Sequence, residues 1–374
     1  MKKKLHIAII GGGLAGLVSA IDLCQRGFQV TLIEKDSFPR HKVCGEYISN
    51  EILPYFEFLG IHMKELTDVK ISKLFLSTQD GNTIESNLNS GGFGVSRYTL
   101  DHYLYKKAIK EGTIFIEGQA IQIKNDKKEK IIILQDKKKI TCDLIIGAFG
   151  KRSNLDKALQ RDFTSVISPW LGVKAHYQGD FPKEQVALHN FDGGYCGISK
   201  VEEDKINVCY LVHFESFKAY RNLEDFEYSV LHENKYLRSF LNNSEMIFDK
   251  PITISQVNFA KKKLVEDEIL MVGDAAGLIH PLCGNGMAMA IKGAKLVADI
   301  LTIYADGIIT KDQMYAKYKR EWKQQFSNRL RAGRILQKML LNKHIQQTSY
   351  KFAKMVPALV PVIIKQTHGK PMVC

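Results

Sequence analysis

The chain has 374 residues, 45% of them hydrophobic and 25% charged, with a formal net charge of +13. This length and composition exclude a disordered or fibrous chain and leave room for two interlocked domains at roughly 100–200 residues each. No run of about 18 apolar residues is present, which excludes a spanning helix, and the lysines fall in small separate clusters rather than a nucleic-acid-binding stripe.

The clusters are Lys2–Lys4, Lys127–Lys128, Lys137–Lys139 and Lys261–Lys263; Lys127–Lys128 and Lys137–Lys139 read as solvated hairpin turns. The positive excess suits an anionic lipid surface or an acidic substrate. Seven cysteines lack CxxC pairs and zinc-type spacing. Without a signal peptide they read as reduced thiols, which places the chain in the cytoplasm, with a location peripheral to a membrane as the variant reading.

Leu5 to Ile10 form an isoleucine-rich run that suits a strand buried on both faces of a parallel sheet. Gly11-Gly12-Gly13-Leu14-Ala15-Gly16 follows, then a helical pattern to about residue 26. In that context Gly11 makes the tight turn, Gly13 leaves room for a pyrophosphate, and Gly16 lets helix and strand pack closely. The helix N-terminus offers free N–H groups to phosphate. A second strand ends at Glu34, placed to accept hydrogen bonds from an adenosine ribose. An acid there disfavours a 2′-phosphate, so the dinucleotide is FAD or NAD(H) rather than NADP(H).

A turn-like stretch, 38–49, leads to a helix beginning near Asn50. Then come a strand at 72–78, a glycine loop at 91–94, and a helix opened by Arg97 and running to about Lys110. Strands 114–124 and 130–135 form a meander, and 141–148 is a further buried strand. From 165 to about 260 the alternation changes to that of an antiparallel sheet. Nucleotide-domain character returns near Glu268, and helices fill most of 285–354.

The expected fold is α/β: a Rossmann-like, glutathione-reductase-type domain (1–164, completed by 263–374 with C-terminal helices) and an inserted antiparallel substrate sheet (165–262). The tail 355–364 is strongly apolar, carries two prolines and is bordered by Lys351, Lys354 and Lys365. It reads as a cover for the core or a substrate tunnel, with shallow docking on a membrane as the second reading.

A strand ending at Gly273-Asp274 is followed by Gly284-Asn285-Gly286 and a helix from about Met287. The Asp274 carboxylate can accept from a polyol chain, and the helix N-terminus can stabilise negative charge on a reduced flavin. NAD has no ribityl chain, so this second anchor selects FAD.

On Gly11, Gly13, Gly16, Glu34, Cys44-Gly45-Glu46, Arg97 and Gly273-Asp274 with Pro281 and Gly286, the chain resembles the group A flavoprotein monooxygenases of the para-hydroxybenzoate hydroxylase fold. Within them it looks like the geranylgeranyl reductase-like branch, over nearly its whole length. The resemblance implies that Arg97 contacts the FAD diphosphate or ribityl region, Asp274 binds the ribityl, and Pro281 to Met287 line the isoalloxazine. The expected cofactor set is Gly11, Gly13, Leu14, Ala15, Gly16, Glu34, Lys35, Arg40, Cys44, Arg97, Gly273, Asp274, Pro281, Gly284, Gly286 and Met287.

Two departures from the family pattern bear on chemistry. Phe149 stands where the family's Asp-Gly motif carries an aspartate linked to nicotinamide handling, leaving two reductants open: NADH or NADPH, or a separate electron donor. The paired-Trp signature of flavin halogenases is absent, with Gly194 to Ser199 roughly in its place, which argues against halogenation.

Three residues are catalytic candidates. Cys44 is a proton donor or a buried wall thiol; Glu46, with Tyr47, orients a phenol or caps the following helix; His280 transfers protons near neutrality or is structural. Cys283 has a weaker case, and Trp170, Tyr195 and Phe191 line a pocket or core.

The leading expectation is an FAD-dependent monooxygenase of secondary metabolism, hydroxylating an apolar aromatic or polyketide-like molecule through a flavin C4a-hydroperoxide. The alternatives are a reductase of isoprenoid double bonds, acting on a lipid-like substrate, and a non-catalytic flavin-binding, membrane-associated partner protein. No metal site and no nucleic-acid partner are expected.

Overall fold

The computed structural model describes residues 5–125, 129–280, 282, 284–341, 348–350, 353–356 and 359–373. His6–Ile10 pairs in parallel with both Leu144–Gly147 and Gln29–Glu34 and so lies inside a six-stranded sheet. The full order is Val265–Glu266, Ile269–Met271, Leu144–Gly147, His6–Ile10, Gln29–Glu34, Ile114–Glu117, antiparallel only at its first pair. Ile7, Ala8 and Ile9 are fully buried, because helices and a meander cover a sheet of this kind on both faces.

The helix Leu14–Gln25 packs against the long helix Gly286–Ala305. It buries even Asp22, whose carboxylate accepts from Arg26 Nε (2.6 Å) and the Tyr55 hydroxyl (2.6 Å). The meander Ala120–Asn125, Lys130–Leu134, Lys139–Cys142 adds Ile132 and Leu134 to the same core.

The second sheet has nine strands and is antiparallel except where Gln185–Phe191 runs parallel to Lys70–Ser77. It contains Trp170–Gln178, Gly194–Lys200 and Ile206–His213, and it also takes in Tyr47–Ser49, Lys70–Ser77 and Thr83–Gly94. The substrate-side sheet is therefore built from two stretches of chain, a correction to the division at 165 and 262. Lys70–Ser77 and Thr83–Gly94 switch irregularly between buried and exposed positions, an alternation too weak to declare which sheet they join.

Residues 91–94, expected as a loop, end the strand Thr83–Gly94. Their glycines permit close approach: a Cβ on Gly92 would lie 2.4 Å from the Tyr47 ring, and one on Gly94 1.9 Å from the Lys200 carbonyl. The expected strand 114–124 is broken at Gly118, whose N–H donates to the Glu34 carbonyl (2.8 Å). Its first half joins the parallel sheet and its second half the meander. Lys127–Lys128 lie outside the described residues, and the described cysteines 24, 44, 142, 196 and 209 are free thiols. No described helix is long and apolar enough to cross a membrane.

Arg161 fastens the return to the first domain. Its guanidinium donates to Asp156 (2.8 Å) and to the carbonyls of Lys263 (2.8 Å) and Ala275 (3.0 Å). Both charged partners are buried, so removing the cation strands a carboxylate in a dry site. Arg161→Met is expected to lower unfolding free energy by about 3 kcal/mol in urea titrations. A loss below about 1 kcal/mol, the ceiling for surface pairs, would show that the clamp is slack.

Candidate functional site

The first glycine turn has the division of labour its spacing suggests. Gly11 is left-handed (φ +109°) against Ala148, and a Cβ on Gly16 would lie 1.9 Å from the Gly11 carbonyl. A Cβ on Gly13 would meet only Lys42 Nζ, at 3.9 Å, and Gly13 lines a cavity with Leu14 and Ala15. Gly13 caps the helix without a side chain, which leaves the first-turn N–H groups available to an anion.

Glu34 lies at one end of this cavity, held by N–H groups of Gly12 (2.7 Å), Lys35 (2.8 Å) and Asp36 (3.2 Å) and by Arg40 (2.9 Å). Lys35 and Arg40 line the same end. Arg97 opens its helix and forks onto Asp101 through two 2.7 Å bonds, while Lys42 reaches the same carboxylate at 3.0 Å. Burial alone would raise the Asp101 pKa, but Arg97 and Lys42 outweigh it and hold the carboxylate ionised. Two cations on one anion leave a net positive charge beside the glycine turn. Lys42 was not singled out in the sequence; its place beside Gly13 depends on the chain returning through 40–46.

The second glycine motif meets the first. Gly273 (φ +60°) would carry a Cβ 2.9 Å from that of Ala15. Asp274, Gly284, Gly286 and Met287 line the cavity's continuation, while Pro281 and Cys283 lie outside the described residues. Lys262 is a further residue the sequence did not mark. Its ammonium donates to the carbonyls of Asp274 and Lys151 (2.8 Å each), and burial brings its pKa down to about 8.

Cys44 lines the cavity beside Arg97, as both of its expected roles require. Glu46 differs from expectation. It does not cap the helix that follows, where Ser49 supplies the oxygen. Its carboxylate is fully buried, accepts from Lys174, from His176 Nε2 (2.7 Å) and from the Arg97 N–H (2.7 Å), and so is committed to the protein itself. Burial alone would raise its pKa, but Lys174 and His176 hold it below the ordinary carboxylate range.

His280 also departs from its expected role. It does not line the cavity; its ring lies among Phe259, Tyr195 and Trp170 with centroids 4.7, 5.7 and 5.9 Å away. Burial takes its pKa down to about 3, so it is neutral where proton transfer near neutrality was expected. Tyr195 and Trp170 share that cluster, whereas Phe191 packs elsewhere, against Tyr210 and Phe226.

The cavity is continuous and about 1130 Å³ in volume. From the cationic turn it passes Cys44 and Tyr47 into an arm walled by Leu74, Leu76, Leu88, Val186, Leu188 and Ile364. Tail residues Val360 and Ile364 form part of that wall. No group of described residues could hold a metal ion. An open Gly13 beside a cation, a fixed carboxylate at one end and Asp274 with a helix start at the other fit FAD laid along one side. When bound, that group supplies hydride or oxygen chemistry.

A family described as FAD binding domain matches residues 4–330. Over 365 residues the chain is 24% identical to a digeranylgeranylglycerophospholipid reductase of Methanococcus vannielii, covering 91% of this chain and 88% of that one. The flavin-dependent brominase Bmp2 superposes with a TM-score of 0.79 at 18% identity, covering 97% of this chain and 93% of that one. A geranylgeranyl bacteriochlorophyll reductase-like protein from Thermoplasma acidophilum gives 0.76 at 17% identity, covering 99% and 94%. At such identities the structural likeness speaks to fold alone, and FAD is the cofactor.

The glycines make separable tests. Gly16→Ala is expected to lower the melting temperature by several degrees and abolish FAD retention, because the turn itself must open. Gly13→Ala is expected to keep the melting temperature of the apoprotein within about 2 °C while weakening FAD binding at least about tenfold. Equal effects of the two on apoprotein melting would contradict these roles.

For His280 the folded pKa lies below the unfolded value of about 6.5, so its contribution is complete above that pH and is lost as pH falls toward about 3. Between pH 6.5 and 5 this amounts to about 2 kcal/mol. His280→Phe is expected to flatten the stability-versus-pH curve by that amount; an unchanged slope would count against a buried neutral imidazole.

Proposed function

We propose, given that the chain belongs to the FAD binding domain family, that it is an FAD-dependent reductase saturating a carbon–carbon double bond in a long aliphatic, isoprenoid-like substrate. The observation that carries this reading is the aliphatic arm, whose wall of Leu, Val and Ile suits a flexible hydrocarbon chain and offers little to a planar polar ring. Hydroxylating a phenol calls for a base beside it. Glu46 is committed to Lys174 and His176, His280 is neutral and does not line the cavity, and burial lowers the pKa of the two described imidazoles that do, His41 and His368. The name of the Methanococcus vannielii relative, a reductase of a geranylgeranyl lipid, supports the same reading.

When bound and reduced, FAD would supply the hydride. The chain supplies the rest: Arg97 and Lys42, paired on Asp101 beside the glycine turn, would hold the anionic part of the cofactor, and the arm would orient the aliphatic chain and exclude water. The carbon not taking hydride needs a proton. The Cys44 thiol is placed at the junction of the polar cavity and the arm to deliver it, with the Arg97 guanidinium beside the thiolate left behind.

The test is anaerobic reduction of the holoprotein by dithionite, followed by a polyprenyl lipid and mass spectrometry of the product. A gain of two hydrogens per double bond is expected, and Cys44→Ser is expected to slow it about a hundredfold with FAD retained. Product heavier by one oxygen under air, or no turnover of any polyprenyl lipid, would overturn the reading. Parallel assays with NADH and NADPH identify the electron source, because Phe149 lines the cavity where the family's aspartate is expected.

A further inference from the structure

The basic charge is far from evenly spread. Residues 322–374 hold ten Lys or Arg and no Asp or Glu, so most of the formal net charge of +13 comes from this last stretch. Within it, the helix Leu359–Thr367 has apolar residues on two sides. Val360 and Ile364, one turn apart, line the apolar arm, whereas Val362 is 53% exposed on the opposite side and Ile363 lies at the edge, 40% exposed. Met355 (79%) and Val356 (38%), shortly before the helix in the chain, are further exposed apolar residues, and Lys354 and Lys365 are exposed as well.

This helix is tied down beyond its end. The Met372 N–H donates to the Glu51 carbonyl (2.8 Å), and Gly369 lies against the buried Glu51–Arg329 pair (3.0 Å) so closely that a Cβ would overlap it. Val362 and Ile363, on this helix, are therefore held in place.

We infer that this C-terminal surface docks on an anionic lipid bilayer, with Met355, Val356 and Val362 entering the headgroup boundary and Lys354 and Lys365 contacting acidic headgroups. An aliphatic molecule in the bilayer then meets the arm through the helix that forms its wall. A second copy of the chain is a poor occupant, because two such surfaces, each formed largely by a stretch with ten Lys or Arg and no Asp or Glu, repel. A nucleic acid would satisfy the cations but leave the apolar residues exposed to water.

Vesicle flotation of the FAD-loaded protein tests this independently of the reaction, since no turnover is read. Binding is expected to vesicles containing phosphatidylglycerol and to be weak on pure phosphatidylcholine, falling as salt is raised. K354Q/K365Q is expected to lose about thirtyfold in vesicle affinity and M355S/V362S about tenfold, while Ile167→Ser, an exposed apolar residue elsewhere, changes nothing. Each variant is first shown to keep its flavin absorbance and melting temperature. Failure of the native protein to float, equal binding to both vesicle types, undiminished binding of both double variants, or release by duplex DNA would each overturn the proposal. Substrate reduction without flotation, or flotation without reduction, separates this inference from the reaction reading.

Discussion

A buried carboxylate that accepts hydrogen bonds from both sides joins the two halves of this molecule. Glu46 adopts a left-handed backbone (φ +54°), a conformation that costs a non-glycine residue roughly 1 kcal/mol or more, and delivers its side chain between Lys174, His176 and the N–H of Arg97. Lys174 and His176 belong to the strand Trp170–Gln178 of the second sheet, and Arg97 starts a helix of the cofactor domain. The segment carrying Arg40, Lys42 and Cys44, all on the cavity wall, is fixed between them. The relation of the Cys44 thiol to the Arg97 guanidinium follows from this junction.

The same device recurs at each place where distant stretches must register. Asp101 joins Arg97 to Lys42, Asp156 pairs with Arg161, whose guanidinium also donates to the Lys263 and Ala275 carbonyls, and Glu51 holds Arg329 and, through its carbonyl, the tail. Buried pairs contribute little net stability compared with apolar residues of similar volume, since desolvation offsets much of the attraction. They do penalise a wrong partner, because a carboxylate with no cation in a dry site costs several kcal/mol. In a chain whose second sheet is assembled from two separate stretches, correct pairing is the harder requirement, and these contacts meet it.

This explains what the sequence could and could not reveal. The strand, glycine turn and acid from 5 to 34 are local, each residue acting within a few positions, and their roles match the geometry at Gly11, Gly13 and Gly16. The strand and helix around Asp274 are equally local. Lys42, Lys174 and Lys262 resemble ordinary surface lysines in one dimension and are claimed by carboxylates or carbonyls from far along the chain. Glu46 and His280 were legible as unusual residues near the cofactor, but their partners decided their chemistry. Phe259, Tyr195 and Trp170, which enclose the imidazole, come from other elements and carry no sequence signal that points to residue 280.

The cavity places two solvents side by side. Around Gly13 the walls are backbone N–H groups, Lys42, Arg97 and Arg40, an environment made for a diphosphate; a few residues away they are leucine, valine and isoleucine. In the apolar arm a charge gains no solvation, so a proton donor there must be scarce and held at the border. Cys44 sits at that border, while the nearby carboxylate, Glu46, is withdrawn into its own cations, and His280, off the cavity wall, is kept neutral among Phe259, Tyr195 and Trp170. On the proposed reading the Cys44 thiol is an exchangeable proton at that border, while the neighbouring Tyr47 hydroxyl donates to the Gly91 carbonyl (3.3 Å).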